Sequence, residues 1–425
     1  MSITVIGASY ESLNTAIWLA SLGRDVRVCA DGDAVEGILA NYKFDRQMVA
    51  LWQMYLNHGQ ICLNAEMSNA DTQGDDKQGA GEYVWLFLSK DNLAEFGDML
   101  GGINPDTQII LSGSLAIGEM AQLAHGLVQE MVCYVPFVFI KDGMGFLSLS
   151  APDLLLVGEK RVGVAQGNEL IASLSAHADR RYVGDIKTVE FARSTIMAML
   201  ATRLSFINEM ARLADKAGVD IAQVQTILGL DKRIGGDYLS AGWGFGGYTL
   251  PSETALLGEL FLKEQVDAKL LKATCAINED QKELIFRKFW RYFDGFIDDK
   301  AVMIWGAGYR AGTGRTTGGA IHPLLKLLWS YNIKTYVYAP NAGFELTKMY
   351  GDESLFVLSD EPYALDGLDA LFVLNWLSAI KIDIDSINRH ALPIFDGKNV
   401  FSDDEIAHLK GHYDGIGRSV CQPKR

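Results

Sequence analysis

Hydrophobic positions along this chain follow two different periods. Between residues 188 and 217, Val189, Ala192, Ile196, Met199, Leu200, Leu204, Ile207, Ala211 and Ala214 recur mostly at three- and four-residue steps with no proline among them. That spacing predicts an amphipathic helix of about 30 residues, roughly 45 Å long at about 1.5 Å per residue. Gly218 ends it and Val219-Asp220-Ile221 restarts a shorter one. On both sides the apolar runs are short, as in buried strands: 3–6, 26–29, 84–88 and 109–111 before it, and 302–305, 335–338 and 370–374 after it. Helical periodicity returns over 13–22, 275–293, 322–329 and 403–410. Residues 69–81 are polar, glycine-bearing and aperiodic, which predicts an exposed loop.

The first strand runs into Gly7, then a helix closed by Gly23, then a second strand. This β-turn-α-β unit is how a Rossmann domain begins. The dinucleotide fingerprint Gly-x-Gly-x-x-Gly is here Gly7-Ala8-Ser9-Tyr10-Glu11-Ser12, so Ser9 and Ser12 carry side chains where pyrophosphate normally meets bare backbone. An acid for the ribose hydroxyls is expected at the end of the second strand, where Ala30 is followed by Asp31. Gly7, Ser9, Ser12 and Asp31 are therefore the candidate NAD contacts, with a weakened fingerprint. A strand-turn-helix that holds no ligand is the bland alternative. The expected fold class is α/β: two Rossmann-like βα domains, residues 1–186 and 296–425, joined by an all-helical central domain, 187–295, with the one long helix.

Composition narrows the partners. The 425 residues are 49% hydrophobic and 21% charged, with a formal charge of −15. Such acidity argues against nucleic acid or an anionic membrane, both of which demand basic surface. No apolar run reaches the 18 or so residues of a membrane span, so no membrane insertion is expected. Cys29, Cys62, Cys133, Cys275 and Cys421 are scattered without metal-like spacing, and among seven histidines only His408 and His412 lie four apart. The reading is reduced thiols in a cytoplasmic protein, that histidine pair on the surface, and no metal site.

After the long helix comes Gly242-Trp243-Gly244-Phe245-Gly246-Gly247, four glycines in six residues, then Tyr248-Thr249-Leu250-Pro251-Ser252-Glu253. So many glycines mean positive φ or a close approach of the backbone to something. Together with Leu204-Ser205-Phe206-Ile207-Asn208-Glu209 and Asp231-Lys232-Arg233-Ile234-Gly235, this stretch resembles the central domain of the UDP-glucose/GDP-mannose dehydrogenase family. The family's loop reads Gly-Phe-Gly-Gly-x-Cys-x-Pro-Lys-Asp, so Thr249 stands at the nucleophilic cysteine, Ser252 at the lysine and Glu253 at the aspartate. The likeness continues in Gly306-Ala307-Gly308-Tyr309-Arg310, where the family has Gly-Leu-Ala-Phe-Lys, and in Phe395-Asp396-Gly397-Lys398-Asn399 and Tyr413-Asp414-Gly415-Ile416-Gly417-Arg418. It covers nearly the whole chain.

The resemblance implies roles for particular residues. Counting back from Asn208-Glu209 places the family's oxyanion-stabilising lysine and asparagine on Arg193 and Met197. Ser114 falls in the family's Ser-Thr-Val-Pro turn beside the cofactor, and Phe137 takes the position of an acid that handles proton or water. Arg233, Phe245, Gly246, Gly247, Arg310 and Lys398 become the nucleotide-sugar contacts, Arg233 reaching a neighbouring subunit's ligand and Arg310 and Lys398 keeping positive charge for phosphate. For Arg233 a simple turn brace with Asp231 is the competing reading. Because the family buries its long helix between subunits, a homodimer is also implied.

Two functions follow as expectations. In the first, the chain is a pseudoenzyme of nucleotide-sugar or polysaccharide metabolism, unable to do the usual four-electron oxidation and kept for binding a UDP- or GDP-sugar or for assembly. The second makes it an active NAD-dependent oxidoreductase on a CH–OH group of such a sugar, with Thr249, Arg193 and Glu253 as relocated catalytic residues. A thiol becomes a good nucleophile with modest help, whereas Thr249 needs a dedicated base.

Overall fold

The structure is a computed structural model that describes residues 2–64, 83–93, 103–138, 141 and 143–420. The loop expected at 69–81 lies outside the described residues. The chain forms two compact units, one of residues 1–196 with 259–264, the other of residues 197–258 with 265–425.

The first unit carries an eight-stranded sheet. Its strands are β1 (Ser2–Ile6), β2 (Asp25–Cys29), β3 (Ile61–Asn64), β4 (Tyr83–Leu88), β5 (Gln108–Gly113), β6 (Val132–Tyr134), β7 (Leu154–Glu159) and β8 (Arg180–Asp185). They lie in the order β3-β2-β1-β4-β5-β6-β7-β8, every neighbouring pair parallel except β6 with β7. All six residues of β4 are buried, as a strand covered on both faces requires. The order reverses at β1, which puts the first turn at a switch point. The expected helix at 13–22 is Tyr10–Ser21 and starts earlier, because Ser9 caps it.

The second unit carries seven strands: β9 (Ala301–Trp305), β10 (Lys334–Tyr338), β11 (Phe356–Ser359), β12 (Ala370–Val373), β13 (Ile394–Asp396), β14 (Tyr413–Gly415) and β15 (Ser419–Val420). Their order is β11-β10-β9-β12-β13-β14-β15, parallel but for the last pair. Here the switch point is at β9.

The long helix is Ile186–Ala217, 32 residues, starting in one unit and ending in the other. Ile207, Ala211 and Ala214 from its second half enter the same core as Trp243, Phe289, Ile304 and Phe395. The single helix expected at 275–293 is instead two, Lys269–Lys282 and Leu284–Tyr292. The guanidinium of Arg287 bonds the Asp280 carbonyl at 2.5 Å, which gives that oxygen a partner where the first helix ends. Among the described residues no helix is long and apolar enough to cross a membrane. The fold is thus α/β, with two mostly parallel Rossmann-like sheets and a helical middle around one long helix.

Candidate functional site

The glycine-rich loop is held by three buried amide side chains. Asn208 on the long helix accepts from the Gly242 N–H at 2.9 Å. Gln281 donates to the Gly242 carbonyl at 2.7 Å, and Asn278 bonds both backbone groups of Phe245, at 2.7 and 3.1 Å. The Trp243 indole donates to the Leu374 carbonyl at 3.0 Å, and the Gly247 N–H to the Thr317 carbonyl at 2.7 Å. These contacts explain the glycines. A Cβ on Gly244 would stand 2.5 Å from Asn278 Oδ1, and one on Gly247 would stand 2.8 Å from the Tyr309 ring. Sequence reasoning missed Asn278 and Gln281; their only signal is amide residues three apart on an otherwise amphipathic helix.

Thr249 is exposed and opens the helix Thr249–Lys263. Its carbonyl accepts from the Ser252 hydroxyl at 3.2 Å, while among the described residues no side chain hydrogen-bonds its own hydroxyl. Glu253, one turn on, is 1% exposed. Met197 is buried, as a core residue is. Arg193 donates to the Gly113 carbonyl and lies 3.5 Å from the Tyr134 hydroxyl. Phe137 is half-buried and stacks on Trp85 and Phe87, with centroids 6.1 and 5.6 Å away. Arg233 is exposed and braces the turn, its guanidinium on Asp231 at 3.0 and 2.6 Å. The mutual hydrogen bonds hold Asp231 below the usual carboxylate range and push Arg233 up.

In the first unit, Gly7 has φ +110° and a Cβ there would lie 2.9 Å from the Phe87 carbonyl oxygen. Ser9 and Ser12 cap each other: the Ser12 N–H donates to Ser9 Oγ at 3.0 Å and the Ser9 N–H to Ser12 Oγ at 2.8 Å. Ser12 is fully buried. Asp31 caps the helix Gly32–Asn41 by accepting from the Ala34 N–H at 3.2 Å. Ser114 follows β5, its N–H on the Leu88 carbonyl at 3.2 Å. Glu190, which sequence reasoning passed over, is buried on the long helix and accepts from the N–H groups of Gly118, Met120 and Ala121 at 3.2, 3.0 and 3.2 Å. Burial pushes its carboxyl up to about 7 against those three bonds.

In the second unit, the carboxyl ends of β9, β10 and β12 surround a cleft that is open to solvent. Its floor is the turn from Gly306 to Thr313, and Arg310 is on its rim. Lys398, at the end of β13, is half-buried with its ammonium 5.7 Å from the Trp243 ring centroid. Burial pushes that ammonium down, with Asp396 opposing. Asp396 is fully buried, accepts from the N–H groups of Lys398, Val400 and Phe401 and from the Tyr413 hydroxyl, and is pushed up by burial. The structure therefore gathers Gly246, Gly247 and the turn carrying Arg310, while Arg233 is fixed to its own turn. His412, read as a surface residue, stacks on Tyr292 at 4.6 Å and is half-buried. Among the described residues no group of three or more His, Cys, Asp or Glu is placed to hold a metal ion.

Two mostly parallel sheets, a 32-residue helix and a glycine loop pinned to the second sheet define a dehydrogenase-type architecture. The family model described as UDP-glucose/GDP-mannose dehydrogenase family, central domain, matches residues 187–280. A UDP-glucose 6-dehydrogenase of Pseudomonas aeruginosa is 30% identical over 446 residues, covering 98% of this chain and 98% of that protein. One from Rickettsia bellii is 24% identical, over 99% and 100% of the two chains. Among solved structures, a UDP-glucose dehydrogenase from Pyrobaculum islandicum superposes with a TM-score of 0.80 at 19% identity, covering 98% of this chain and 97% of that one. A UDP-D-ManNAc dehydrogenase from Pyrococcus horikoshii gives 0.77 at 18% identity, with 98% and 99% covered. The chain belongs to the UDP-glucose/GDP-mannose dehydrogenase family.

Proposed function

We propose that this chain binds a UDP- or GDP-linked sugar on its second unit, works as a homodimer, and no longer performs the four-electron oxidation of that sugar. The observation that carries the reading is the Thr249 hydroxyl, exposed at the start of its helix with no side-chain base hydrogen-bonded to it among the described residues. Oxidation of an alcohol to an acid needs a nucleophile that traps the aldehyde for a second hydride transfer, and an unassisted hydroxyl is a poor one. Arg193 is occupied by the Gly113 carbonyl, and Met197 offers no donor. Losing one oxyanion donor typically costs about 100- to 1000-fold in rate.

NAD fits the first turn poorly. Ser9 and Ser12 satisfy each other's backbone N–H groups and the Ser12 hydroxyl donates to the Ser9 carbonyl, so both N–H groups and the Ser12 hydroxyl are committed where pyrophosphate would lie. Gly7 and Asp31 remain suited to a dinucleotide. Apolar residues exposed on the long helix, Phe191, Met199, Phe206 and Leu213, support a dimer face. The division into 1–186, 187–295 and 296–425, and a reducing, cytoplasmic setting for the dispersed cysteines, belong to the same proposal.

A second reading has one observation in its favour: the 30% identity to a UDP-glucose 6-dehydrogenase runs the length of both chains. On that reading the chain is an NAD-dependent oxidoreductase using Thr249, Arg193 and Glu253. Purified protein incubated with NAD and UDP-glucose, UDP-N-acetylmannosamine or GDP-mannose separates the two. Thermal stabilisation by a nucleotide sugar without NADH formation is the expected result. Sustained NADH formation, lost in Thr249→Ala and Glu253→Gln, would establish the second reading instead.

A further inference from the structure

We propose that His322 is a positioning residue for nucleotide-sugar binding: its ring locks the 314–319 turn against the glycine loop, so that Gly246 and Gly247 present their backbone in one fixed place. The inference rests on the reading of that loop as a nucleotide-sugar contact.

The loop leans on the turn at two points. The Gly247 N–H donates to the Thr317 carbonyl at 2.7 Å, and a Cβ on Gly246 would stand 2.7 Å from the Gly318 carbonyl oxygen. Residues 314–319 form neither helix nor strand, so side chains must do what a backbone ladder does elsewhere. They do it through Thr316, which is fully buried. Glu345 accepts from its N–H and, at 2.8 Å, from its hydroxyl. His322 Nε2 lies 3.0 Å from its carbonyl oxygen and 3.1 Å from its hydroxyl oxygen.

The directions of these bonds fix the state of the ring. A carbonyl only accepts, and the Thr316 hydroxyl has sent its proton to Glu345, so Nε2 is the nitrogen that carries hydrogen. Nδ1 then offers a lone pair, to which the Tyr350 hydroxyl donates at 2.8 Å. Tyr350 is set in turn by the rings of Trp329 and Phe356, with centroids 5.2 and 6.3 Å away. The imidazole is thus held at both nitrogens. Its surroundings keep it uncharged: burial, with Lys326 and Lys282, pushes it below its ordinary value against the pull of the Thr316 carbonyl and Glu345. Arg315 is the counter-charge of Glu345, 3.6 Å from its other oxygen. A leucine at 322 would fill much of the same space, yet it would take a donor from the Thr316 carbonyl and the acceptor from Tyr350.

Variants of the full-length protein, with UDP-glucose and GDP-mannose as probes, test the assignment. At a temperature where it stays folded, His322→Leu should weaken binding about tenfold, as loss of a positioned hydrogen bond does, and speed hydrogen exchange at the Gly247 amide. His322→Gln, whose amide can donate to the same carbonyl, should restore most of both. Tyr350→Phe, which releases only Nδ1, should fall between them. Should a variant fail to fold, the parent still gives a direct reading: NMR of nitrogen-labelled histidine should show the His322 ring neutral near neutral pH, with its proton on Nε2. Unchanged affinity in folded His322→Leu, equal losses in His322→Leu and His322→Gln, or a proton on Nδ1 would overturn the proposal. If the parent binds neither probe, the nucleotide-sugar reading falls and this proposal with it; binding by the parent that survives intact in His322→Leu overturns this proposal alone.

Discussion

Gly246 approaches Gly318 so closely that a methyl group on Gly246 would sit 2.7 Å from the Gly318 carbonyl oxygen. The contact is backbone on backbone, and no rotamer change relieves it. Gly246→Ala is therefore expected to lower the unfolding free energy by about 1–3 kcal/mol, as overpacking does, and to weaken nucleotide-sugar binding. Gly59, also at positive φ but with open space around its Cβ, is the control: Gly59→Ala should cost only the backbone strain of about 1 kcal/mol. Urea melts of the two variants check the difference.

Asn278 holds Phe245 by both backbone groups and is 3% exposed. Asn278→Ala leaves a buried N–H and a buried carbonyl without partners, at about 1–3 kcal/mol each. Hydrogen exchange should report faster exchange at Phe245 than in the parent protein.

Lys288 joins three parts of the second unit. Its ammonium meets Asp215 at 2.7 Å, Asp414 at 2.8 Å and the Gly415 carbonyl at 2.8 Å, and it is 4% exposed. Lys288→Met abandons two largely buried carboxylates beside each other, which should cost about 3–5 kcal/mol. Adding Asp215→Asn and Asp414→Asn should recover part of that loss in thermal melts.

Glu190 gives the protein a pH dependence of definite sign. Burial pushes its carboxyl up to about 7 in the folded state, from an ordinary value of 4.5 in the unfolded chain. Between those values the folded state holds the extra proton, so the contribution is full below about 4.5 and is lost as pH rises through about 7. The melting temperature of the wild type should fall relative to that of Glu190→Gln, which cannot ionise, as pH rises across that window. The change in unfolding free energy should be on the order of 1–3 kcal/mol. A difference independent of pH would show that Glu190 is already ionised in the folded state.

Thr249→Cys tests directly the proposal that a nucleophile is missing at this position. A thiol at an exposed helix start has its thiolate favoured by the helix dipole, so iodoacetamide should label it faster than the exposed Cys62. On the proposed function, labelling without any gain in NADH formation is expected, because the Arg193 guanidinium is bonded to the Gly113 carbonyl and Met197 offers no donor. Restored turnover would show that the thiol alone was missing.

The sequence by itself determined the fold class, the family and the long helix. Those rest on local periodicity: apolar steps of three and four from Val189 to Ala214, and short apolar runs bounded by glycine, are written in neighbouring residues. From chain order came the expectation that Thr249, Arg193 and Met197 stand at the family's catalytic positions. What each substituted group does was decided only by tertiary structure. Ser9 and Ser12 looked free to meet phosphate until the helix they cap drew their hydroxyls onto its own N–H groups. Likewise the glycines at 242–247 marked a close approach, but its partners, Asn208, Asn278 and the Gly318 backbone, lie 33 or more residues away in the chain from the groups they meet. The cleft under Arg310 is the extreme case, since β9, β10 and β12 meet there through parallel pairings that skip along the sequence. Short-range patterns encode elements, whereas close packing of distant segments fixes which backbone and side-chain groups are consumed and which are left for a ligand.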